Sequence, residues 1–390
     1  MKKILIFFLI LSVFLPFTCR AQEYATENSE NLSQPEDIKP QPEEIISEEI
    51  EPLNEFYAQA EVLKINDIKV EEKDLTTQVV LKQEVKLKIL NTKLKNQEFT
   101  LINEVSTNPL DIKLSQGQKI LVNIEEFENE QYQVYIVGYY RITGIILLTI
   151  LFVVLLILLG GKQGFKTVIS LIISILLIFK ILIPQILNGQ NPLLISLIIS
   201  LLVAIITLFL IAGVNKKALI AILGTLGGLI FAILISYIFV RLTYLNGLAS
   251  EEARILFSKF PQINPEGILF SGIIIAALGA VMDVAMSIAS SLSEIKNNNK
   301  DISFIQLFNS GIRVGKDIIG TMSNTLIFAY VGVSLPLLLL YEQFGDSYLN
   351  FINLDFITDE IVRSLGGSIG LIAVIPITAI LGAFLYRSKK

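Results

Sequence analysis

From residue 142 onward the chain is a succession of long apolar runs separated by short polar breaks. A helix needs about 20 apolar residues to cross a hydrocarbon layer. Runs of that length lie near 142–160, 166–187, 193–213, 218–240, 268–291, 318–340 and 364–386. The pattern predicts a mainly α membrane protein, with about seven transmembrane helices over residues 141–390. Upstream, residues 56–140 follow a different period. Val85, Leu87 and Ile89 alternate with Lys86 and Lys88. Ile120, Val122 and Ile124 alternate with Leu121 and Asn123, and Gln133, Tyr135 and Val137 alternate with Val134 and Ile136. Period two is the pleat of a strand, and Gly117 and the Glu128-Asn129-Glu130 stretch supply turns. About five or six strands are predicted, forming a small extracytoplasmic β-barrel-like (OB-like) domain.

Residues 1–21 read as an export signal. Lys2 and Lys3 form a positive start, Ile4 to Leu15 an apolar stretch, and Ala21 closes a small-residue cleavage site. An uncleaved anchor and lipidation at Cys19 are the alternatives. Residues 22–55 are crowded with glutamates and carry Pro35, Pro40, Pro42 and Pro52. Such a segment cannot bury enough apolar surface to offset ordering entropy, so it is read as a disordered acidic linker.

Charge then orients the spans. Export would put the β domain outside and leave the C-terminus cytoplasmic. The loops that would be cytoplasmic carry Lys162, Lys166, Lys216, Lys217, Lys296, Lys300, Arg313, Lys316, Arg387, Lys389 and Lys390. Those outside carry only Arg241, Arg254, Lys259 and Arg363. This is the positive-inside bias of a multi-pass membrane protein. The acidic front half argues against nucleic acid as a partner.

Composition removes whole chemistries. The chain has no His, no Trp and one Cys. No Ser-His-Asp or Cys-His nucleophile can be assembled, and no Cys/His zinc site. No cofactor and no enzyme activity are expected. Whether a metal binds is left open; its ligands would be carboxylates, carbonyls and water.

Two formal charges lie well inside the predicted spans, Lys180 and Asp283. The long stem of Lys180 can snorkel to the headgroups. Asp283 cannot reach far. It shares a helical stripe with Ala276, Gly279, Ala280, Ser287 and Ser290. That stripe reads either as a close packing seam with one satisfied acid or as a cation or proton site. The next span begins with Thr321, Asn324 and Thr325 on one broad face, at about the depth of Asp283 and Ser287. Side-chain oxygens with one carboxylate suit Na⁺ or a proton relay. Ahead of it, Phe304, Leu307, Phe308 and Ile312 line one side of an amphipathic helix expected on the inner membrane surface. Gly311-Ile312-Arg313-Val314-Gly315-Lys316-Asp317 imitates a phosphate loop, but its spacing is one residue short and Asp stands where Ser or Thr belongs. Gly366, Gly367 and Pro376 are expected to loosen the last span.

Several of these runs share a further likeness. Ala277 to Ser291 and Gly320 to Tyr330 resemble the YibE/F family of bacterial multi-pass membrane proteins, as do Asn215 to Gly228 and Ser250-Glu-Glu-Ala-Arg254. Lys316 stands where that family often has Arg, and Lys180 where an apolar residue is common. The resemblance implies a polytopic membrane topology and a permease-like role. It supplies no catalytic residues.

Two functions follow as expectations. One is a secondary transporter or channel for an unknown solute or ion, with Asp283, Ser287, Thr321, Asn324 and Thr325 in its pathway. The other is a membrane scaffold that binds a cell-envelope protein through the β domain. The lipid bilayer is the first partner, and a homo-oligomer fits either reading.

Overall fold

The computed structural model describes residues 52–68, 79–128, 131–344 and 347–386. The expected export signal and all but the last residues of the acidic linker lie outside the described residues. The chain divides into two compact units, Met1–Tyr140 and Arg141–Lys390.

The first unit is a five-stranded antiparallel sheet, β1 (Asn54–Ile68), β2 (Val79–Ile89), β3 (Glu98–Ser106), β4 (Lys119–Phe127) and β5 (Gln131–Tyr139). The strand order is β3-β2-β1-β4-β5. The sheet is curled, so its two edge strands β3 and β5 approach each other. β1 is long because it serves two partners, Ala60 pairing with Ile89 on one side and Ile120 on the other. A register shift after Val62 bends it between them. The alternation in the sequence sets which side chains point inward. Ala58, Ala60, Val62, Val85, Leu87, Ile89, Ile120, Val122 and Ile124 are buried, and Leu94 and Leu114 close the core from the loops. Gln83 is also buried and fully used. Its amide donates to Asp67 Oδ1 (2.9 Å) and Leu114 O (3.2 Å), and its oxygen accepts from the Leu114 N–H (2.9 Å). Gly117, at φ +80°, makes the turn into β4 that a residue with a Cβ would adopt only under strain.

The second unit is helical. Its elements are α1 (Ile142–Leu177), a π-helical turn (Ile178–Leu182), α2 (Ile183–Leu187), α3 (Pro192–Ala212), α4 (Lys216–Leu242), α5 (Glu251–Lys259), α6 (Pro265–Asn298), α7 (Phe304–Phe344), α8 (Tyr348–Ile352) and α9 (Asp355–Leu385). Among the described residues, six helices are long and apolar enough to cross a membrane, against about seven expected. The difference is the first, a continuous run of 46 residues from Ile142 to Leu187. It is broken at Gly161, whose φ of 53° and ψ of −130° are not helical. A Cβ on Gly164 would come within 2.0 Å of the Leu156 carbonyl oxygen. In a straight helix eight residues span about 12 Å, so the chain folds back sharply at Gly161. The two expected runs 142–160 and 166–187 lie on either side of that fold. The π-helical turn has a local cause: Pro184 has no N–H to donate to the carbonyl of Lys180. Lys180 itself is exposed.

The core of the bundle is an antiparallel contact between α4 and α9. A Cβ on Gly224 would meet Thr378, one on Gly228 Val374, one on Gly370 Ala232, and one on Gly366 Ser236. Four-residue steps up α4 match four-residue steps down α9, with Ile220 near Gly382 at one end. Val240 and Val362 share a cluster at the other end. Small residues at each layer let the two backbones close together, which is how helices bind when lipid offers no hydrophobic drive. Gly366 and Gly367 therefore tighten the last span rather than loosen it: Gly366 admits Ser236, and Gly367 lies beside Leu326 and Ala277.

α6 and α7 flank α9. α6 runs parallel to it, with Gly272 beside Arg363, Ala277 beside Gly367 and Leu292 beside Gly382. α7 runs antiparallel, with Gly311 beside Ala379 and Gly315 beside Ile375. The phosphate-loop look-alike is thus mid-helix, and its glycines are packing notches. The amphipathic segment expected to lie on the membrane surface is instead the first part of α7. Its 41 residues span about 60 Å. Leu307 is buried and Phe308 and Ile312 pack on the bundle core. α3 joins α1 through Ser170 and Thr207, whose hydroxyl oxygens are 2.6 Å apart. The first half of α1 buries almost nothing in the bundle.

Candidate functional site

The α6 stripe is built by ordinary helix periodicity. Ile273, Ile274, Ala277, Val281, Val284, Ala285 and Ile288 face the core. The opposite face then carries Ala276, Gly279, Asp283 and Ser287, all exposed, with Ala280 and Ser290 at its margin. No described residue of the chain covers this stripe. A Cβ on Gly279 would have nothing within 4 Å. Asp283 makes no hydrogen bond or ion pair among the described residues.

Thr321, Asn324 and Thr325 are likewise exposed, on α7. The hydroxyl of Thr321 donates to Ile318 O (3.0 Å) and that of Thr325 to Thr321 O (2.9 Å). Their lone pairs and the whole amide of Asn324 remain for other partners. The α6–α9 and α7–α9 registers fix relative depth. They bring Asp283 level with Asp317 and Gly320, Gly279 with Thr321, and Ala276 with Asn324. The five predicted residues therefore lie on the exposed sides of two helices that flank α9. The threonines and Asn324 sit one to two turns along from Asp283 rather than beside it, and no hydrogen bond joins the two sets. Asp317, exposed at the level of Asp283, adds a second carboxylate that the pattern alone did not single out.

A second polar group was missed. Asp359, Glu360 and Arg363 lie in the first turns of α9, which begins nine residues before the apolar run predicted for the last span. Arg363 Nη2 donates to Asp359 Oδ2 at 2.9 Å, and Arg363 Nε is 3.7 Å from Glu360 Oε1. A Cβ on Gly272 would come within 2.7 Å of Arg363 Nη1, so the guanidinium lies against the α6 backbone. Beside it Arg241 pairs with Glu266 (3.3 Å) and covers the ring of Tyr237 (5.4 Å). The i,i+4 spacing of Asp359 and Arg363 was the available signal.

The runs that carried the family resemblance also have visible structural tasks. Asn215 caps α4, accepting from the Ala218 N–H at 2.9 Å. Ser250 caps α5 through the Ala253 N–H (3.2 Å), and Arg254 Nε donates to Leu248 O (2.9 Å), closing the loop before it. Among the described residues no group of three or more His, Cys, Asp or Glu side chains is placed to hold a metal ion.

The apolar helices point to a multi-pass membrane protein. No curated protein and no solved structure matches the chain. Residues 55–139 match the YibE/F family N-terminal domain, so the β unit is a family feature rather than an addition. Residues 148–388 match the YibE/F-like protein family, and the chain belongs to that family.

Proposed function

We propose that this protein is a secondary permease of the bacterial cytoplasmic membrane, and not an enzyme, moving a cation or small polar solute along the exposed face of α6 and α7. The polypeptide crosses seven times, counting the halves of the first run on either side of Gly161 separately, with the β unit outside and the C-terminus cytoplasmic. The observation that carries this reading is an exposed carboxylate, Asp283, far from both ends of a membrane-length helix. A charge at that depth costs about 2.5–3.5 kcal/mol against lipid. Water, a permeant ion or another protein surface must meet it. Ser287, Thr321, Asn324 and Thr325 extend the same polar face.

Single cysteines at Ser287 and Asn324, in a Cys19→Ser background, test it with a membrane-impermeant thiol reagent. The expectation is labelling within about tenfold of a cysteine at the loop residue Asn299. Labelling as slow as that of a cysteine at exposed, apolar Val333 would mean that lipid, not water, covers the face.

The scaffold reading keeps one observation of its own. Tyr57, Tyr135, Val137 and Tyr139 are exposed on the outer side of the β unit. Exposed tyrosines on a sheet are suited to an envelope partner. Normal function after Tyr57→Ala and Tyr135→Ala, with loss after Asp283→Asn, would decide for the permease.

A further inference from the structure

We propose that the exposed side of α7 docks on a second copy of this chain, with Lys316 of each protomer pairing with the partner's Asp317 deep in the membrane. The contact deepens the permease reading and rests on it for one point, that the route past Asp283 then runs between two protomers and is incomplete in one.

The case starts from depth. The charge pattern puts Arg313 and Lys316 in a cytoplasmic loop, whereas the structure puts both inside α7. Gly311 lies beside Ala379 and Gly315 beside Ile375, so Lys316 is level with Val374 and Arg313 with Ile377. Those levels are about 16 Å and about 12 Å before the end of α9. Asp317 and, on α6, Asp283 share the layer of Lys316. All four side chains are exposed, and none has an ion pair or hydrogen bond among the described residues. Arg313 can snorkel part of the way to the headgroups; Lys316 and the two short acids cannot. Charges left at that depth against lipid are costly, so something must cover them.

Packing adds a separate observation. The α7 glycines that face α9 are filled notches, Gly311 by Ala379 and Gly315 by Ile375. Gly320, on the exposed side, is an empty one: a Cβ there would have nothing within 4 Å. An empty notch weakens the helix and lets another helix come close. Asn324, one turn further on, is exposed with its amide unused among the described residues. Such an amide hydrogen-bonds readily across a helix pair in lipid.

Charge names the occupant. Arg313 and Lys316 balance Asp317 and Asp283, so the layer is neutral and complementary to itself. A two-fold axis along the membrane normal brings residues of equal depth together. Lys316 then meets the partner's Asp317, and the reciprocal pair forms in the same contact. The first half of α1 also lacks a packing partner, but residues 142–160 hold no charge with which to cover this layer. A different protein would have to carry the same signs at the same depth, which a second copy does by construction. Asp283 stays beside the paired layer, at the seam where each copy walls the other's route.

The test reads the dimer fraction of the full-length protein in lipid bilayers, by single-molecule subunit counting over graded protein-to-lipid ratios. The wild type should form dimers. Dimer affinity should fall at least about tenfold in Lys316→Asp and in Asp317→Lys, each of which sets like charges face to face. The double variant restores both pairs and should return to within about threefold of the wild type. A wild type that stays monomeric at every ratio overturns the proposal. So does a loss in the single variants without recovery in the double one, since the two residues would then act within one copy. Cysteines at Gly320 or Asn324, in a Cys19→Ser background, should crosslink two copies when native membranes are oxidised, and a cysteine at exposed Ile198 of α3 should not. Equal crosslinking at Ile198, or an adduct with a different protein at Gly320 and Asn324, overturns the proposal, and these crosslinks decide alone should the single charge variants not fold. A monomer in which Asp283 still responds to cations overturns the interface and leaves the permease reading; a dimer in which Asp283 does not respond has the opposite meaning.

Discussion

Gln83 holds the loop before β4 by bonding both backbone groups of Leu114. Gln83→Ala would leave those groups buried and unsatisfied, at about 1–3 kcal/mol each. Hydrogen exchange of the β-strand amides in the full chain should show a loss of at least about 2 kcal/mol of protection. The acids of this unit set its pH response. A hydrogen bond and charge from Lys86 hold Glu98 below the usual carboxylate range, Lys93 does the same for Glu126, and hydrogen bonds from the Ser106 hydroxyl and N–H hold Asp111 down. Depressed folded values mean a contribution fully present above the ordinary carboxylate range and lost as pH falls through the lowered ones. The stability of the β unit should therefore fall progressively below about pH 4, and Glu98→Gln should flatten that fall. A fall equally steep in Glu98→Gln would mean that other groups set it. Single residues were unevenly legible. Asp283 stood out because a lone acid in an apolar run is rare. Asp359 and Arg363 did not, because hydropathy placed the start of the span after them, whereas the helix that buries them begins earlier. Whether the Asp283 stripe faced a neighbour or lay open depends on which helices pack on α6, and periodicity within one helix does not contain that.

At the scale of elements, apolar runs and strand alternation gave the helices and the β strands, since both follow from local period. What they lacked was pairing. The α4–α9 contact joins residues far apart in the chain, and its Gly notches look in sequence like helix breakers. The same is true of Gly311 and Gly315, which serve α9 and not a phosphate. Two glycine substitutions separate the roles. A Cβ on Gly370 would lie 2.5 Å from the Ala232 Cβ. Gly370→Ala should therefore destabilise by about 1–3 kcal/mol, as overpacking does. Gly279→Ala, with open space around it, should be neutral or stabilise by up to about 1 kcal/mol through helix propensity. Thermal unfolding of the two purified variants checks the contrast, and equal effects would mean that the tight α4–α9 contact is wrong.

For the molecule as a whole, the alternating helix directions and the skewed basic residues together make a topology that can be labelled. Cysteines at Lys95 and Ser388, in a Cys19→Ser background, should react from opposite sides of the membrane, and reaction of both from outside would overturn the orientation. The charge pattern carried that expectation; no single span did. The central claim is that Asp283 meets a cation on the open face of α6 and α7. Asp283→Asn keeps the volume and the hydrogen-bonding capacity while removing the charge. The most direct measurement is the apparent cation affinity of the purified protein, from Tm titrated with Na⁺ and with pH, wild type against Asp283→Asn. The account predicts a cation- or proton-dependent rise in the Asp283 protein that is absent from Asp283→Asn. Indistinguishable titrations of the two proteins would contradict it.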